Sequence, residues 1–400
     1  MTRRFSIVSV CRSLPTPDDP SAGVFVRSRL EGMAALADVR VVQPIPYFPL
    51  AAPLPQWARH ERRVSGGVEV HNAPMFYIPG IAKTLDAMWL ARSIRRRVTR
   101  LHCSHPVDVL DAHFGYPDGV GCGRVARLLG IPYFVTLRGF EKEFIDRPRI
   151  GPEMLAAFHA ATGLIAVSHS LRRFAIEHGV APGKIRVIHN AVDPGLFCPG
   201  DRRVARERIG IAPEVPLILS VGHLIPRKRH HILIEAFARL LREIPNAHLS
   251  IIGSATPDAA YAASLKERIA ALGIGSNVTL AGNLAPIDVV TWLRAADVFG
   301  LATAREGCCN AVLEALAVGV PVVTTPVGDN AEFVAASRNG HLFAVDDVAA
   351  MASALSSSLT RGQWDREAIA RALHASVGGW PDVARRVLDF MQEAVDYGRI

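Results

Sequence analysis

The sequence has neither a long hydrophobic run nor a cysteine framework. No apolar stretch reaches the roughly 18 residues that a membrane-spanning helix needs, so no transmembrane segment is predicted. The six cysteines show no C-x-x-C spacing, which argues against structural zinc and disulfides and fits a reducing cytosol. Arg3-Arg4 before Phe5–Cys11 imitates a signal peptide, but the apolar run is too short, and we interpret it as a first strand.

Charged residues are few and unevenly distributed. They make up 20% of the chain and hydrophobic residues 50%, which is typical of a globular protein, and 400 residues predict two domains. Residues 1–190 hold 25 Lys/Arg and 15 Asp/Glu, a net charge of +10, whereas the remainder carries −2. This basic half favours an anionic partner, or serves solubility alone. No recognised nucleic-acid motif is present, so an anionic membrane surface fits better than nucleic acid.

Short apolar strands alternate with longer helical patterns, and there is no internal repeat. The first set of predicted strands is Phe5–Val10, Asp38–Val42, Val107–Asp111, Tyr133–Thr136, Gly163–Val167 and Lys184–Ile188. The second set is Pro216–Val221, His248–Ile252, Asn277–Ala281, Asp297–Leu301, Pro321–Thr324 and Gly340–Ala344. This alternation predicts an α/β fold with two doubly wound parallel sheets, in residues 1–190 and 217–379, joined by a linker at 191–216. Ligands of such sheets bind beyond the carboxyl ends of the strands, which predicts a site in a crevice between the domains.

The most informative stretch carries two carboxylates, Glu306 and Glu314. Val298–Ala302 before them is predicted as a buried strand, and Asn310–Val318 as a helix. One carboxylate then stands at the mouth of the helix and the other on its flank, about 12 Å along the axis at 1.5 Å per residue. That spread suits an elongated polar ligand whose phosphates meet the free N–H groups of the helix. Two solvated helix glutamates are the alternative.

A glycine loop followed by cations lies upstream. The predicted strand ends at Gly222, and Arg227 and Lys228 come before a predicted helix at Ile232–Glu243. Glycine lets the backbone approach a ligand and the cations meet its charge, so a diphosphate is the natural target. A solvated basic helix start is the alternative.

Three segments together resemble a known family. They are E-G-x-x-N-x-x-x-E-A-x-A-x-G-x-P-V-V from Glu306, V-G-H-L-I-P-R-K at Val221–Lys228, and I-R-V-I-H-N-A-V-D at Ile185–Asp193. They resemble the two-glutamate motif, the diphosphate loop and the interdomain segment of retaining, GT-B-type glycosyltransferases of glycosyltransferase family 4. The resemblance covers nearly the whole chain. It implies two Rossmann-like domains facing across a cleft, with the last helix, here Trp380–Tyr397, crossing back to the first domain.

The resemblance also implies roles for residues of the second domain. Glu314 would accept hydrogen bonds from both ribose hydroxyls, and Glu306 would face the positive charge that develops on the sugar. Lys228 would bind the diphosphate, and Leu280–Leu284 would line the nucleobase pocket. The predicted nucleotide-sugar-binding set is Gly23, Arg138, Gly222, His223, Arg227, Lys228, Gly282, Asn283, Leu284, Glu306, Gly307, Cys308, Cys309, Asn310 and Glu314.

In the first domain, three residues match family positions. His113 corresponds to a histidine that the family places beside the donor sugar, although a structural histidine is the alternative. Arg138 would face the phosphates or the acceptor, and Gly23 resembles the loop that approaches the diphosphate. The predicted catalytic set is Glu306, His113 and Lys228.

The sequence departs from the family pattern at several positions. His223 stands where the family often has arginine, so Arg227 is the candidate for the second phosphate-binding cation. Cys308 and Cys309 replace larger residues and are interpreted as packing residues of the sugar pocket, not as nucleophiles. Asp329 replaces the second glycine of another loop, which leaves the role of that loop open.

Two other segments have an apolar surface. Leu85–Leu101 is amphipathic, with Arg92, Arg95, Arg96 and Arg100 on its polar face. It is either an ordinary surface helix or a contact with anionic lipid, in which Met88 and Trp89 would dip into the membrane. Pro44–Trp57 is predicted as a hydrophobic loop that guides a lipid-linked acceptor or caps the cleft.

The sequence therefore predicts a retaining glycosyltransferase. It would move a sugar from a nucleotide diphosphate sugar, with uracil or guanine as the base, to a glycan or polyprenyl-linked acceptor in bacterial surface polysaccharide synthesis. No metal or other cofactor is predicted, because no D-x-D motif stands at a strand end and lysine and the helix dipole would replace the metal. A cytoplasmic location, peripheral on the membrane, is expected. A sugar-nucleotide epimerase on the same scaffold and a non-catalytic glycosyltransferase-like partner are the alternatives.

Overall fold

The computed structural model describes residues 3–19, 22–49, 52–59, 62–63, 67–80, 82–256, 258–336, 338–360 and 364–397. The chain forms two compact units. Unit 1 comprises residues 1–190 and 380–400, and unit 2 comprises residues 191–379.

Unit 1 is built on an eight-stranded sheet in the order β3-β4-β2-β1-β5-β6-β7-β8. Its strands are β1 Ser6–Val10, β2 Asp38–Tyr47, β3 Arg62–Arg63, β4 Glu69–Phe76, β5 Val109–His113, β6 Tyr133–Leu137, β7 Gly163–Ala166 and β8 Ile185–Val187. All pairings are parallel except that of the short β3 with β4. Its helices are α1 Val24–Ala34, α2 Asp86–Ser104, α3 Val120–Leu129, α4 Glu141–Phe144, α5 Ile150–Ala160, α6 His169–Glu177 and, from the end of the chain, α15 Trp380–Tyr397.

Unit 2 is built on a six-stranded parallel sheet in the order β11-β10-β9-β12-β13-β14. Its strands are β9 Leu217–Val221, β10 His248–Ile252, β11 Val278–Gly282, β12 Val298–Leu301, β13 Val322–Thr324 and β14 Gly340–Leu342. Its helices are α7 Arg202–Ile209, α8 His230–Leu240, α9 Ala259–Ala271, α10 Pro286–Ala295, α11 Asn310–Ala317, α12 Asn330–Phe333, α13 Val348–Thr360 and α14 Arg366–Val377.

Alternate residues of the central strands of unit 2 enter two different hydrophobic layers. Leu217 and Leu219 of β9 pack with Leu313 of α11, whereas Ile218 between them packs with Phe237 of α8. Side chains of a strand point alternately to opposite faces, so a strand buried on both faces appears in the sequence as a continuous apolar run. This is why the central strands of this unit are evident in the sequence. All six predicted strands are found, each within two residues of its expected ends.

Strand β4 was not predicted, because its sequence lacks a continuous apolar run. It carries buried polar side chains, His71 and Asn72, and a proline at Pro74. The proline is tolerated because β3 pairs only with Glu69 and Val70, so the outer side of β4 has no strand partner at Pro74 among the described residues. Strand β2 likewise continues to Tyr47, through prolines that the sequence interpretation assigned to a loop. That predicted loop at Pro44–Trp57 is therefore wrong over its first four residues, and its residues 50 and 51 lie outside the described part.

The segment predicted as a linker contains a helix and belongs to unit 2. Asp201 accepts hydrogen bonds from the N–H groups of Arg203 and Val204 at the start of α7, which caps the helix. Arg206 is fully buried and donates to the Ala295 carbonyl at 3.0 Å, at the end of α10. The highly charged helix α7 was not predicted because the buried Arg206 shares its inner face with Ala205 and Ile209, which leaves no long apolar stripe in the sequence.

In each sheet the chain reverses its direction of growth beside the first strand. Unit 1 adds β2 and β4 on one side of β1 and then returns to place β5 on the other. Unit 2 does the same around β9, with β10 on one side and β12 on the other. Loops that follow such neighbouring strands diverge and leave a crevice at the carboxyl ends, where ligands of doubly wound sheets bind. In unit 2 the predicted site residues follow β9 and β12 or lie at the end of β11. In unit 1 they follow β1 and β6, and His113 is the last residue of β5.

Candidate active site

The glycine loop after β9 lies against the end of β10. A Cβ atom on Gly253 would come within 1.9 Å of the Gly222 carbonyl oxygen, so only glycine allows this approach. The Gly222 N–H donates to the Ile252 carbonyl at 2.8 Å. Gly222 is partly exposed and His223 exposed, so the loop presents backbone and one imidazole to solvent.

His230 anchors the same loop through hydrogen bonds to its backbone. It is fully buried at the first position of α8, and its Nε2 lies 3.2 Å from the carbonyl oxygens of both Gly222 and His223. Burial, together with the nearby charge of Lys228, lowers the pKa of His230 to about 4. The ring is therefore neutral at physiological pH, and its Nε2–H donates to the two carbonyls.

The two predicted phosphate-binding cations both meet Glu306. Lys228 Nζ lies 2.7 Å from Glu306 Oε1, and Arg227 Nη1 lies 3.3 Å from Oε2. The Thr303 hydroxyl donates to Oε1 at 2.8 Å. The Glu306 side chain is 8% exposed and that of Lys228 is 12% exposed, so little water screens the pair. The structure thus brings Arg227, Lys228 and Glu306 together at the switch point of the unit 2 sheet.

The ionisation of this cluster follows from its pairing. Burial would raise the pKa of Glu306, but Lys228 and Arg227 outweigh it and hold that pKa below its usual value. Burial would lower the pKa of Lys228, but the Glu306 carboxylate outweighs it and raises that pKa. Both groups are therefore charged at neutral pH.

Glu314 lies on α11 in a different electrostatic setting. Burial raises its pKa to about 7, and the Lys228 charge only partly offsets this. A carboxylate that titrates near neutrality gains from hydroxyl donors, which stabilise its charged form. Helix α11 itself begins at Asn310, and the side chain of Cys309 before it caps none of its N–H groups. Burial raises the pKa of the Cys309 thiol to about 12, which suits a packing residue and not a nucleophile.

The remaining predicted residues of unit 2 lie on loops around these groups. Gly282 and Asn283 are exposed at the end of β11, and Leu284 is half-buried. The Gly282 carbonyl accepts from the Gly253 N–H at 2.7 Å, which ties this segment to the glycine loop region. Gly307 is buried and Cys308 half-buried between Glu306 and α11. Asp329 is buried with an ordinary negative φ of −113°, so its backbone does not require glycine.

His113 of unit 1 lies inside a buried hydrogen-bond network. Its side chain is 0% exposed. Its Nδ1 lies 3.0 Å from Arg138 Nη2, and its Nε2 lies 3.1 Å from Asp111 Oδ2 and 3.0 Å from Ser9 Oγ. Because a guanidinium can only donate, Nδ1 is the acceptor and the proton is on Nε2. Both ring nitrogens are therefore engaged by the protein, and contact with a sugar would require Arg138 or Asp111 to move.

Burial keeps this histidine neutral. Burial lowers the pKa of His113 to about 3, and the Asp111 carboxylate only partly offsets this. Arg29 Nη2 lies 2.8 Å from Asp111 Oδ2. Burial would raise the pKa of Asp111, but the Arg29 charge and the hydrogen bonds from Arg29 and His113 outweigh it and hold that pKa well below its usual value. The network thus holds an ionised Asp111 and a neutral imidazole.

Glu141 organises the loops that carry Arg138. Its carboxylate is 1% exposed and accepts from the N–H groups of Gly115 at 2.9 Å, Arg138 at 3.1 Å and Gly139 at 2.6 Å. The Arg138 guanidinium is buried, lies 4.9 Å from the centre of the Phe25 ring, and donates to Asn190 Oδ1 at 3.3 Å. Arg138 is therefore fixed from both its backbone and its side chain.

Gly23 has a clear structural requirement for glycine. Its φ is +58°, and a Cβ atom there would lie 1.8 Å from the Ser13 carbonyl oxygen. It immediately precedes α1. The predicted loop begins at Ser21, two residues before Gly23, and Ser21 lies outside the described residues.

Four residues of these sites were missed in the sequence. They are Gly253, His230, Thr303 and Glu141. Gly253 follows a strand as Gly222 does, which is a signal that could have been used. His230 and Glu141 act through hydrogen bonds to backbone groups, and Thr303 through one to Glu306, three residues along the chain. None of the three belongs to a motif that the sequence interpretation used.

Comparison with known proteins bears on both units. A model of "Glycosyl transferases group 1" matches residues 201–373, and a model of "Glycosyltransferase Family 4" matches residues 22–196. The first match contains Lys228, Glu306 and Glu314, and the second contains Gly23, His113 and Arg138. The chain belongs to the group 1 glycosyltransferases of glycosyltransferase family 4. The family inferred from the sequence motifs is thereby confirmed.

Relatives of this glycosyltransferase include proteins named for an inositol phosphate. The D-inositol 3-phosphate glycosyltransferase of Frankia alni is 29% identical over 304 residues, 72% of this chain and 74% of the relative. The D-inositol 3-phosphate glycosyltransferase 2 of Catenulispora acidiphila is 29% identical over 228 residues, and here the chain spans only 53% of the relative. The two alignments thus support homology and do not identify the acceptor of this protein.

Solved structures similar to this glycosyltransferase cover nearly all of both chains. Sucrose-phosphate synthase from Thermosynechococcus elongatus has a TM-score of 0.79 at 20% identity, over 98% of this chain and 99% of the other. Anabaena HepE in complex with UDP-glucose has a TM-score of 0.75 at 17% identity, over 97% and 100%. These likenesses show the fold, which is GT-B, with two Rossmann-like parallel-sheet domains, and they confirm the predicted fold class.

No helix in the described ranges combines the length and the apolar character needed to cross a bilayer.

Proposed function

We propose that the protein is a retaining glycosyltransferase that takes a sugar from a nucleotide diphosphate sugar. The observation that carries this proposal is the cluster of Arg227, Lys228 and Glu306 at the switch point of the unit 2 sheet. Two cations at 2.7 and 3.3 Å from one carboxylate make a place where a doubly charged leaving group can be held. Glu306 beside them supplies negative charge for an oxocarbenium-like transition state.

We further propose that the transfer needs no metal. The two cations and the N–H groups at the start of α11 would carry the charge of the diphosphate leaving group. Donors that carry UDP are the first to examine, since Anabaena HepE was solved with UDP and with UDP-glucose. Activity that persists in excess chelator would support the metal-free route, and loss of activity restored by a divalent cation would contradict it.

For the acceptor, the names of the relatives favour a phosphorylated polyol or sugar. Two of them act, by name, on D-inositol 3-phosphate, and a structural neighbour is a sucrose-phosphate synthase. A glycan or polyprenyl-linked acceptor of surface polysaccharide synthesis remains a prediction of the sequence, and none of these names supports it. The net charge of +10 on residues 1–190 suits either a phosphorylated acceptor or an anionic surface.

The deciding experiment measures UDP release from a panel of UDP-sugars with each acceptor class. Product formed on inositol phosphate or a sugar phosphate, with the anomeric configuration of the donor retained by NMR, is the expected result. Donor that is isomerised without transfer would instead favour an epimerase, and an inverted product would contradict retention.

A further inference from the structure

The Glu306 carboxylate makes the contacts that a phosphate group would make. One oxygen faces Lys228 Nζ at 2.7 Å and the other faces Arg227 Nη1 at 3.3 Å. A phosphate presents its oxygens to a lysine and an arginine in the same way, since each cation can only donate. The negative charge of the carboxylate offsets one of the two cations, so the cluster carries a net charge of +1. A phosphate would bind more strongly if both positive charges were available to it.

We propose that Glu306 is an internal competitor of the donor diphosphate for Lys228 and Arg227. This inference rests on the proposed function, because it names the diphosphate as the ligand of these two cations. A diphosphate that binds Lys228 must displace the carboxylate from it. The displaced Glu306 is then available to the sugar, so one side chain serves first as a counter-ion and then as the charge beside the reacting carbon.

Burial and anchoring make this competition strong. Glu306 is 8% exposed, so its bonds to the cations are poorly screened by water. The Thr303 hydroxyl, itself buried, holds Oε1 in place at 2.8 Å. The carboxylate is therefore positioned for Lys228 by a neighbour that keeps it there, and exchange with a diphosphate must also break or bend this hydrogen bond.

A second ion pair near the same basic loop gives a matched control. Arg229, adjacent to Lys228 in sequence, pairs with Asp346, with Nε and Oδ1 3.0 Å apart. The Asp346 side chain is 49% exposed, and within the described part of the chain it forms an ion pair with Arg229 and not with Lys228. Asp346→Asn therefore removes a carboxylate of equal charge from this region without touching the Lys228 pair. Asparagine also tolerates the positive φ of 65° at this position.

The test is calorimetry of the full chain with inorganic pyrophosphate, UDP and uridine. Glu306→Gln should bind pyrophosphate and UDP at least about tenfold more tightly than the parent, the factor that one charge-assisted hydrogen bond supplies. Uridine affinity should not change, and Asp346→Asn should stay within about twofold of the parent for all three ligands. Thr303→Val, which keeps the carboxylate but loosens it, should give a smaller gain in the same direction.

The outcomes separate this inference from the proposed function. If the parent and Glu306→Gln bind UDP with equal affinity, the competition is refuted and the diphosphate site stands. If neither binds pyrophosphate or UDP, both proposals fail. Thermal unfolding of each variant shows whether it is folded; should Glu306→Gln not fold, Thr303→Val carries the test, and its failure to bind pyrophosphate more tightly than the parent refutes the competition.

Discussion

Glu314 is the residue at which pH should act on donor binding. Its pKa is raised to about 7 by burial, and its predicted role is to accept hydrogen bonds from ribose hydroxyls, which favours the ionised form. We expect affinity for UDP-glucose to rise as pH increases through about 7 and to level off above it, with proton release on binding near neutrality. Calorimetry in buffers of different ionisation enthalpy measures that release. Glu314→Gln should bind more weakly and release no proton; an unchanged pH profile in this variant would remove Glu314 from the site.

The same residue should affect the free energy of unfolding. A carboxyl group with a raised pKa in the folded state binds more protons folded than unfolded, so stability is greatest below pH 4.5 and is lost as pH rises through 7. Glu314→Gln should therefore be more stable than the parent at pH 8, by about 1–2 kcal/mol after solvent screening, and gain little at pH 5. Urea unfolding at the two pH values checks this, and an equal effect at both would contradict the assigned burial cost.

Lys228 should discriminate between phosphate and base. Lys228→Ala should lower UDP affinity by at least about tenfold and leave uridine affinity nearly unchanged, because a charge-assisted hydrogen bond is worth roughly 1.5–3 kcal/mol. Arg229→Gln is the matched control, since this neighbouring cation pairs with Asp346. Equal losses for UDP and uridine would show that Lys228 supports the fold of the site and does not bind phosphate.

At the scale of the element, the start of α8 is coupled to the glycine loop. His230 donates to the carbonyls of Gly222 and His223 and is neutral, with a pKa lowered to about 4. His230→Ala removes the hydrogen bonds to these two carbonyls and leaves a cavity. We therefore expect the free energy of unfolding to fall by about 2–4 kcal/mol. UDP affinity should fall as well because the loop loses its anchor. Wild-type UDP affinity in a variant that is clearly destabilised would show that the loop does not depend on His230.

The lowered pKa of His230 also sets a pH window. A histidine that is neutral when folded must be charged when unfolded at acid pH, so the parent should lose stability as pH falls from about 6.5 towards 4. His113, with a pKa of about 3, adds to the same trend. His230→Ala should reduce this acid sensitivity, and a parallel decline in parent and variant would assign it to other groups.

What the sequence could predict at this scale depended on apolar pattern. Buried strands such as β9 and β12 form continuous hydrophobic runs, so their positions were found within two residues. Strand β4 and helix α7 were missed, because each is anchored by buried polar groups that no periodicity reveals. The pairing of Glu306 with Lys228 and the enclosure of His113 were missed for the same reason, since both depend on contacts between distant parts of the chain.

At the scale of the whole molecule, the net charge of +10 on residues 1–190 favours contact with an anionic membrane surface. Arg92, Arg95, Arg96 and Arg100 are exposed on α2, and so are Leu85 and Met88, whereas Trp89 is partly buried against Phe76, with ring centres 5.1 Å apart. We propose that this face binds anionic lipid, with about 1 kcal/mol per cation near the surface. Sedimentation with anionic liposomes at low salt should recover the protein, and neutral liposomes should not.

Changing the four arginines of α2 to glutamine should release the protein from anionic liposomes. Turnover with a water-soluble acceptor should stay unchanged, since these side chains lie on the outside of α2 and not among the site residues. High salt should act in the same direction as the substitutions, because the Debye length falls to about 3 Å at 1 M. A parent protein that stays in the supernatant at low salt would leave α2 as an ordinary surface helix.

The placement of α15 has a consequence for the order in which the protein can be made. This helix completes unit 1, where Phe390 packs edge-on against Phe134 and Gly32 lies close to the Trp380 carbonyl. Yet all of unit 2 is translated before it. During translation, the surface of unit 1 that α15 covers therefore stays uncovered while residues 191–379 are synthesised. The whole sequence of unit 2 is available before that of unit 1. Unit 1 therefore cannot be completed until unit 2 has been translated.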